Sequence, residues 1–256
     1  MLRKSCDQGP SIDLVDEAAY ADAFYRRNQA DLALNPTFFR KYSAPTREWD
    51  WRQWGMKRLG AVTGCKVLDF GCGAGEEAVY LAKMGARVTA IDISPKGIEL
   101  TRARAEANGV AEAVDARLMR CDPTEFSDAS FDLVHGFGIL HHVGLHAGLT
   151  EVHRVLKRGG HGVFWEHMGN CALIERLRPK AGRATLGERP IQWSEIATVA
   201  PLFQSVEARA FHLMSRLRLH LTWTGHSFVK RFDHALLSIL PRLRFFASGV
   251  VIVVRK

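Results

Sequence analysis

Three glycines at alternate positions, Gly71, Gly73 and Gly75, follow the apolar run Lys66 to Phe70 and lead into Glu77-Ala78-Val79-Tyr80-Leu81-Ala82. The order strand, glycine loop, helix makes a ligand cradle, because glycine admits a close approach and a new helix offers unpaired N–H groups. Dinucleotide folds begin the same way, but their fingerprint wants a third small residue where this chain has Glu76, a carboxylate badly placed beside a pyrophosphate. Asp69, at the carboxyl end of the strand, could pair with a cationic group such as an α-ammonium. Asp92 ends the next strand-like run, Arg87 to Asp92. In a βαβ unit that spacing delivers a carboxylate to the neighbouring strand edge, where it can accept both hydroxyls of a ribose. A zwitterionic, sulfonium-bearing nucleoside fits these charges better than NAD or FAD.

The elements that must position these residues can be read in order. Residues 11 to 34 read as a helix that Asn35-Pro36 stops, residues 38 to 45 as an aromatic-rich loop, and Trp49, Trp51, Trp54 and Met56 as part of a helix entering the first strand. Ser94-Pro95 caps a helix that ends at Asn108-Gly109. Residues 116–120 form a third strand and 131–136 a fourth. A helix over 146–157 stops at Gly159-Gly160 in a tight turn before a fifth strand at 161–166. Beyond it come a short helix at 173–178, a loop at 179–190, a helix at 191–200, a strand at 205–211, a helical stretch at 213–240 and a last strand at 249–254.

The run Val67 to Gly75, with the later motifs in register, resembles class I S-adenosylmethionine (SAM)-dependent methyltransferases over residues 60 to 170. The resemblance implies a Rossmann-like α/β fold, a doubly wound, seven-stranded, mostly parallel sheet. Residues 1–59 would form an amino-terminal helical cap, and 60–256 the SAM-binding domain with a helical insert at 213–245. It also implies SAM as cofactor, with S-adenosylhomocysteine as product, held by Asp69, Gly71, Cys72, Gly73, Gly75, Asp92, Ile93, Asp122, Pro123 and Gly136. In that family an acid at Asp122 accepts from the adenine amino group. Tyr42 is the expected lid contact, since similar enzymes drape an amino-terminal segment over the cofactor. The run Gly136 to His142 looks like ubiquinone/menaquinone-type and related natural-product methyltransferases. It lacks the Asn/Asp-Pro-Pro-aromatic run of nucleobase amine methylation and the Pro-Cys nucleophile of cytosine C5 methylation. A small-molecule acceptor is therefore expected, one offering a hydroxyl or activated carbon on an acidic, aromatic or lipid-like metabolite, with Phe137 and Glu166 against it. His141, His142 and His167 are the candidate catalytic groups, His141 first, because imidazole can take a proton near neutral pH. O-, N- and C-methylation stay open.

The composition fits a soluble globular chain, with 47% hydrophobic and 24% charged residues. Five scattered cysteines without Cys-x-x-Cys spacing indicate neither a disulfide framework nor a metal site. With no apolar run after the basic amino terminus, a cytoplasmic protein is expected. The net charge of +8 belongs to the tail, since from residue 171 onward fourteen Lys/Arg face five Asp/Glu. That asymmetry suits an acidic substrate or peripheral contact with an anionic membrane. DNA is not expected. An RNA methyltransferase and a non-catalytic SAM-binding regulator are the alternatives, and oligomeric state is not legible.

Overall fold

The computed structural model describes residues 14–27, 31–43, 47–169, 189–214 and 223–256. Three amino-terminal helices, α1 (Leu14–Arg27), α2 (Pro36–Ser43) and α3 (Trp51–Leu59), precede the sheet. Then follow β1 (Lys66–Phe70), α4 (Glu76–Lys83), β2 (Arg87–Asp92), α5 (Pro95–Ala107), β3 (Val114–Leu118) and β4 (Phe131–Phe137). The chain continues through α6 (Leu140–Val143), α7 (Leu145–Val155), β5 (Leu156–His167), α8 (Trp193–Val199), β6 (Ser205–Phe211), α9 (Trp223–Ile239) and β7 (Gly249–Arg255).

The seven strands lie in the order β3-β2-β1-β4-β5-β7-β6. β7 is antiparallel to both β5 and β6, and the other pairings are parallel. The order reverses between β1 and β4, which opens a crevice at the carboxyl ends of those strands, where open α/β sheets take ligands. Val250 to Val254 of β7 are buried on both faces, as an inner strand covered by helices requires. One core layer joins Trp51, Trp54 and Leu59 to Val67, Val163, Trp165 and Val251, so the amino-terminal helices share their core with the sheet. The opposite layer packs α7 and α8 against Leu68, Phe70, Val134 and Ile252.

Several boundaries differ from the sequence reading. Pro36 opens a helix instead of ending one, because the Asn35 side chain caps it by accepting from Phe38 N–H at 2.9 Å, and proline suits a first helical turn. The residues expected as an aromatic loop are thus α2 in large part. β3 begins two residues earlier than expected. β5 runs on from Leu156 through Gly159-Gly160, with an irregular register against β4 between Phe131 and Leu133. Gly160 is required there, since a Cβ would lie 2.7 Å from the Asp132 carbonyl. α3 leans on Trp165 so closely that a Cβ on Gly55 would sit 2.2 Å from the indole. The helix expected at 173–178 lies outside the described residues.

Candidate active site

The glycine loop is held by the sheet. Gly71 and Cys72 donate to the Ile91 carbonyl at 3.0 and 2.8 Å, and Gly71, Gly73 and Gly75 all have positive φ. Asp92 closes the turn from the other side, accepting from Gly73 N–H at 2.9 Å and Ser94 N–H at 2.8 Å. Burial raises the Asp92 pKa, with these two backbone bonds working the other way. Cys72 turns from the loop into α5, its Sγ 3.7 Å from Thr101 Oγ1, so its side chain packs beneath the loop.

A cleft of about 390 Å³, open to solvent, lies at this edge and is lined in part by Gly71, Asp92, Ile93, Asp122, Ile139 and His142. Pro123 follows Asp122 through a cis peptide bond and is not among the lining residues. Gly136 is packed too tightly to carry a side chain. A Cβ there would meet Phe164 at 2.6 Å and the cleft-lining Ile139 at 3.0 Å.

α1 roofs the loop. A Cβ on Gly73 would lie 2.6 Å from the Tyr25 hydroxyl, Asp22 accepts from Ser94 Oγ and from Lys96 N–H, and Glu17 Oε1 stands 2.9 Å from His142 Nδ1. Tyr25, and not Tyr42, is thus the aromatic set over the glycine loop. Tyr42 itself is buried in ring contact with Phe38 and Tyr80, with its hydroxyl on Glu77. The sequence carried a weak signal for Tyr25, an aromatic on the helix expected over 11–34.

Beneath the loop lies a polar cluster that sequence reasoning missed. His135 and Asp69 face each other across β4 and β1, with His135 Nδ1 2.7 Å from Asp69 Oδ1. Both side chains are buried, and Asp69 Oδ2 and His135 Nε2 have no hydrogen-bond partner among the described residues. Burial disfavours charge on His135, but the adjoining Asp69 carboxylate outweighs it and raises the pKa. Arg52, whose guanidinium lies over Trp51 and Phe137, approaches the Tyr42 hydroxyl from α3. The unpaired carboxylate oxygen of Asp69 and the unpaired imidazole nitrogen of His135 match the chemistry of the ammonium and carboxylate of an amino-acid head. With the glycine cradle and Asp92, these residues fit SAM.

The other half of the mouth is built on Glu166. Its carboxylate is fully buried and accepts from Ile139 N–H at 3.0 Å, Leu140 N–H at 2.8 Å and His141 Nδ1 at 2.7 Å. This corrects the expectation that Glu166 faces an acceptor, since both oxygens are spent holding α6 on β5. A carboxylate that accepts two backbone bonds makes His141 Nδ1 the third donor, which leaves a lone pair on Nε2 of the neutral ring. The structure brings His141 together with His142 and His167, at ring separations of 4.3 and 5.7 Å. Phe137 stands in an aromatic wall, 5.4 Å from Trp51, which also meets His167 at 6.4 Å and His212 at 4.6 Å. His212 arrives from the end of β6, and no spacing in the sequence announces it. Burial depresses its pKa to about 3. No group of three or more His, Cys, Asp or Glu able to hold a metal ion occurs among the described residues.

Residues 67–160 match the family model described as a methyltransferase domain. The ubiquinone biosynthesis O-methyltransferase of Methylocella silvestris is 41% identical over 103 residues, 40% of each chain. The ubiquinone/menaquinone biosynthesis C-methyltransferase of Geobacter sp. (strain M21) is 34% identical over 120 residues, 45% of this chain and 51% of the relative. The matches thus span about half or less of these relatives. The geranyl diphosphate C-methyltransferase of Streptomyces coelicolor A3(2), solved with S-adenosylhomocysteine, superposes with a TM-score of 0.65 over 97% of this chain and all of that one, at 15% identity. The fold is that of class I SAM-dependent methyltransferases, and the glycine loop, β2 and the β4 mouth all lie within the matched domain.

Proposed function

We propose that the protein transfers a methyl group from SAM to a small-molecule acceptor, a hydroxyl or activated carbon on an acidic, aromatic or lipid-like metabolite. The observation that carries the reading is the meeting, at one sheet edge, of an adenosine-type cradle on Asp92 with the His141–Glu166 pair. Bound SAM would supply a methyl group on a positively charged sulfur. Asp92 accepts the ribose hydroxyls and Asp122 the adenine amino group, while the cradle glycines let the backbone approach. Asp69 Oδ2 takes the ammonium, and His135 Nε2 and Arg52 take the carboxylate, each supplying the partner that the other side of the zwitterion needs.

Acceptor alignment falls to Trp51, Phe137 and His167, whose flat faces suit an aromatic ring and exclude water from an in-line displacement. For a hydroxyl acceptor, His141 Nε2 takes the proton while Glu166 holds the ring by its other nitrogen, the arrangement that fixes tautomer and orientation in carboxylate-histidine pairs. The O-methyltransferase relative favours that class of acceptor, and the C-methyltransferase relative keeps carbon open.

The test is release of S-adenosylhomocysteine with a panel of acidic and lipid-tailed phenols. Wild type turns over at least one, and His141→Gln lowers kcat for hydroxyl acceptors by roughly 10²–10⁴ with SAM affinity kept. Turnover unchanged in His141→Gln would remove the base, and absence of product across the panel would sink the activity.

A further inference from the structure

One side of α9 is tied to the fold. Lys230 Nζ reaches Asp50 Oδ2 at 2.9 Å, Asp233 accepts from Met214 N–H at 2.9 Å, and His234 receives an Arg209 N–H at 2.9 Å. The opposite side is bare and apolar. Phe228, Phe232 and Ile239 follow helical spacing along it, with relative exposures of 71, 47 and 74%. Leu240, Phe245 and Phe246 continue the surface just past the helix end at 45 to 50% exposure. Single exposed apolar residues are ordinary, but six large ones gathered on one helix and its exit mark a contact surface.

The exposed charge that residues 223–256 themselves contribute has one sign. Arg231, Arg242 and Arg244 are exposed beside it, and the one acidic residue from 223 to 256 is Asp233, 3% exposed and already engaged. We propose that this face is a docking surface for an anionic phospholipid bilayer, with the aromatic stripe entering the acyl boundary and the arginines meeting headgroup phosphates. A second copy of the chain would set one cationic rim against another, which disfavours self-association here. No helix among the described residues is long and apolar enough to cross a membrane, so the contact lies along the surface of the bilayer. Through Lys230 and Asp50, α9 is pinned to the start of α3, which carries Trp51 and Arg52. The proposal stands apart from the methyl-transfer reading and survives its failure.

The experiment is flotation of the full chain with vesicles of equimolar phosphatidylglycerol and phosphatidylcholine, against phosphatidylcholine alone. The chain is expected to float with the anionic vesicles and to be released as salt rises to about 0.5 M, where exposed charges are largely screened. Phe228→Ser/Phe232→Ser/Ile239→Ser should lower partitioning at least about tenfold. Arg231→Glu/Arg242→Glu should abolish the preference for anionic lipid. All these positions are exposed, and circular dichroism and the melting midpoint should stay at wild-type values. Wild-type flotation by both variants, absence of flotation, a dimer dissociated by the serine substitutions, or preferential binding to single-stranded RNA would each overturn the proposal.

Discussion

The two halves of the crevice are built by different means. On the β1–β2 side, backbone N–H groups do most of the holding, with Gly71 and Cys72 on the Ile91 carbonyl and Gly73 and Ser94 on Asp92. On the β4–β5 side, side chains meet one another, with Glu166 on His141 and Trp51 between Phe137, His167 and His212. Backbone bonding constrains residue type and spacing within one βαβ unit, whereas side-chain contact allows any element that reaches the place. The first half is suited to a constant ligand, and the second can be rebuilt for different acceptors.

Gly75→Val tests the backbone half most severely. Gly75 has φ +75°, and a Cβ would lie 2.6 Å from Thr101. Left-handed strain and overpacking together should cost about 3 kcal/mol in urea unfolding and abolish SAM binding. Stability within about 0.5 kcal/mol of wild type would mean that the loop yields more readily than its bonding implies. Glu166→Gln tests the other half. It weakens a charge-assisted set of three bonds and should cost about 2 kcal/mol. If the cost is real, turnover should fall further than cofactor affinity, because the damage lies in α6 and His141. Equal losses in both would blur the division between the halves.

The remaining effect concerns acid stability. His212 has a folded pKa of about 3 against an ordinary 6.5, caused first by burial and then by Lys230. Between those values the unfolded chain binds the proton and the folded chain does not. The stability it confers is whole above pH 6.5 and declines as pH falls towards 3, by about 1.4 kcal/mol per unit at most. His212→Asn, which tolerates the residue's φ of +63°, should flatten that part of the pH–stability curve. An unchanged slope would place the acid sensitivity in other groups.

The difference between the halves also governs what could be read from the chain. Asp92, Ser94 and the glycines were legible because a strand edge and a helix cap impose residue type at fixed spacing. His135 was not, since its partner Asp69 lies 66 residues away and meets it through strand register alone. Tyr25 was not singled out and Tyr42 was, because composition cannot tell which aromatic of the amino-terminal segment meets the glycine loop. Glu166 was located correctly at the strand end, but the direction of its carboxylate depends on where α6 begins.

The central claim is that Asp92 and the glycine cradle hold SAM. Calorimetric titration with S-adenosylhomocysteine and with NAD, for wild type and Asp92→Ala, tests it most directly. The account predicts micromolar binding of S-adenosylhomocysteine, weakened about 100-fold or more by the loss of a charged acceptor, and no binding of NAD. Failure of the wild type to bind S-adenosylhomocysteine, or equal affinity in Asp92→Ala, would contradict it.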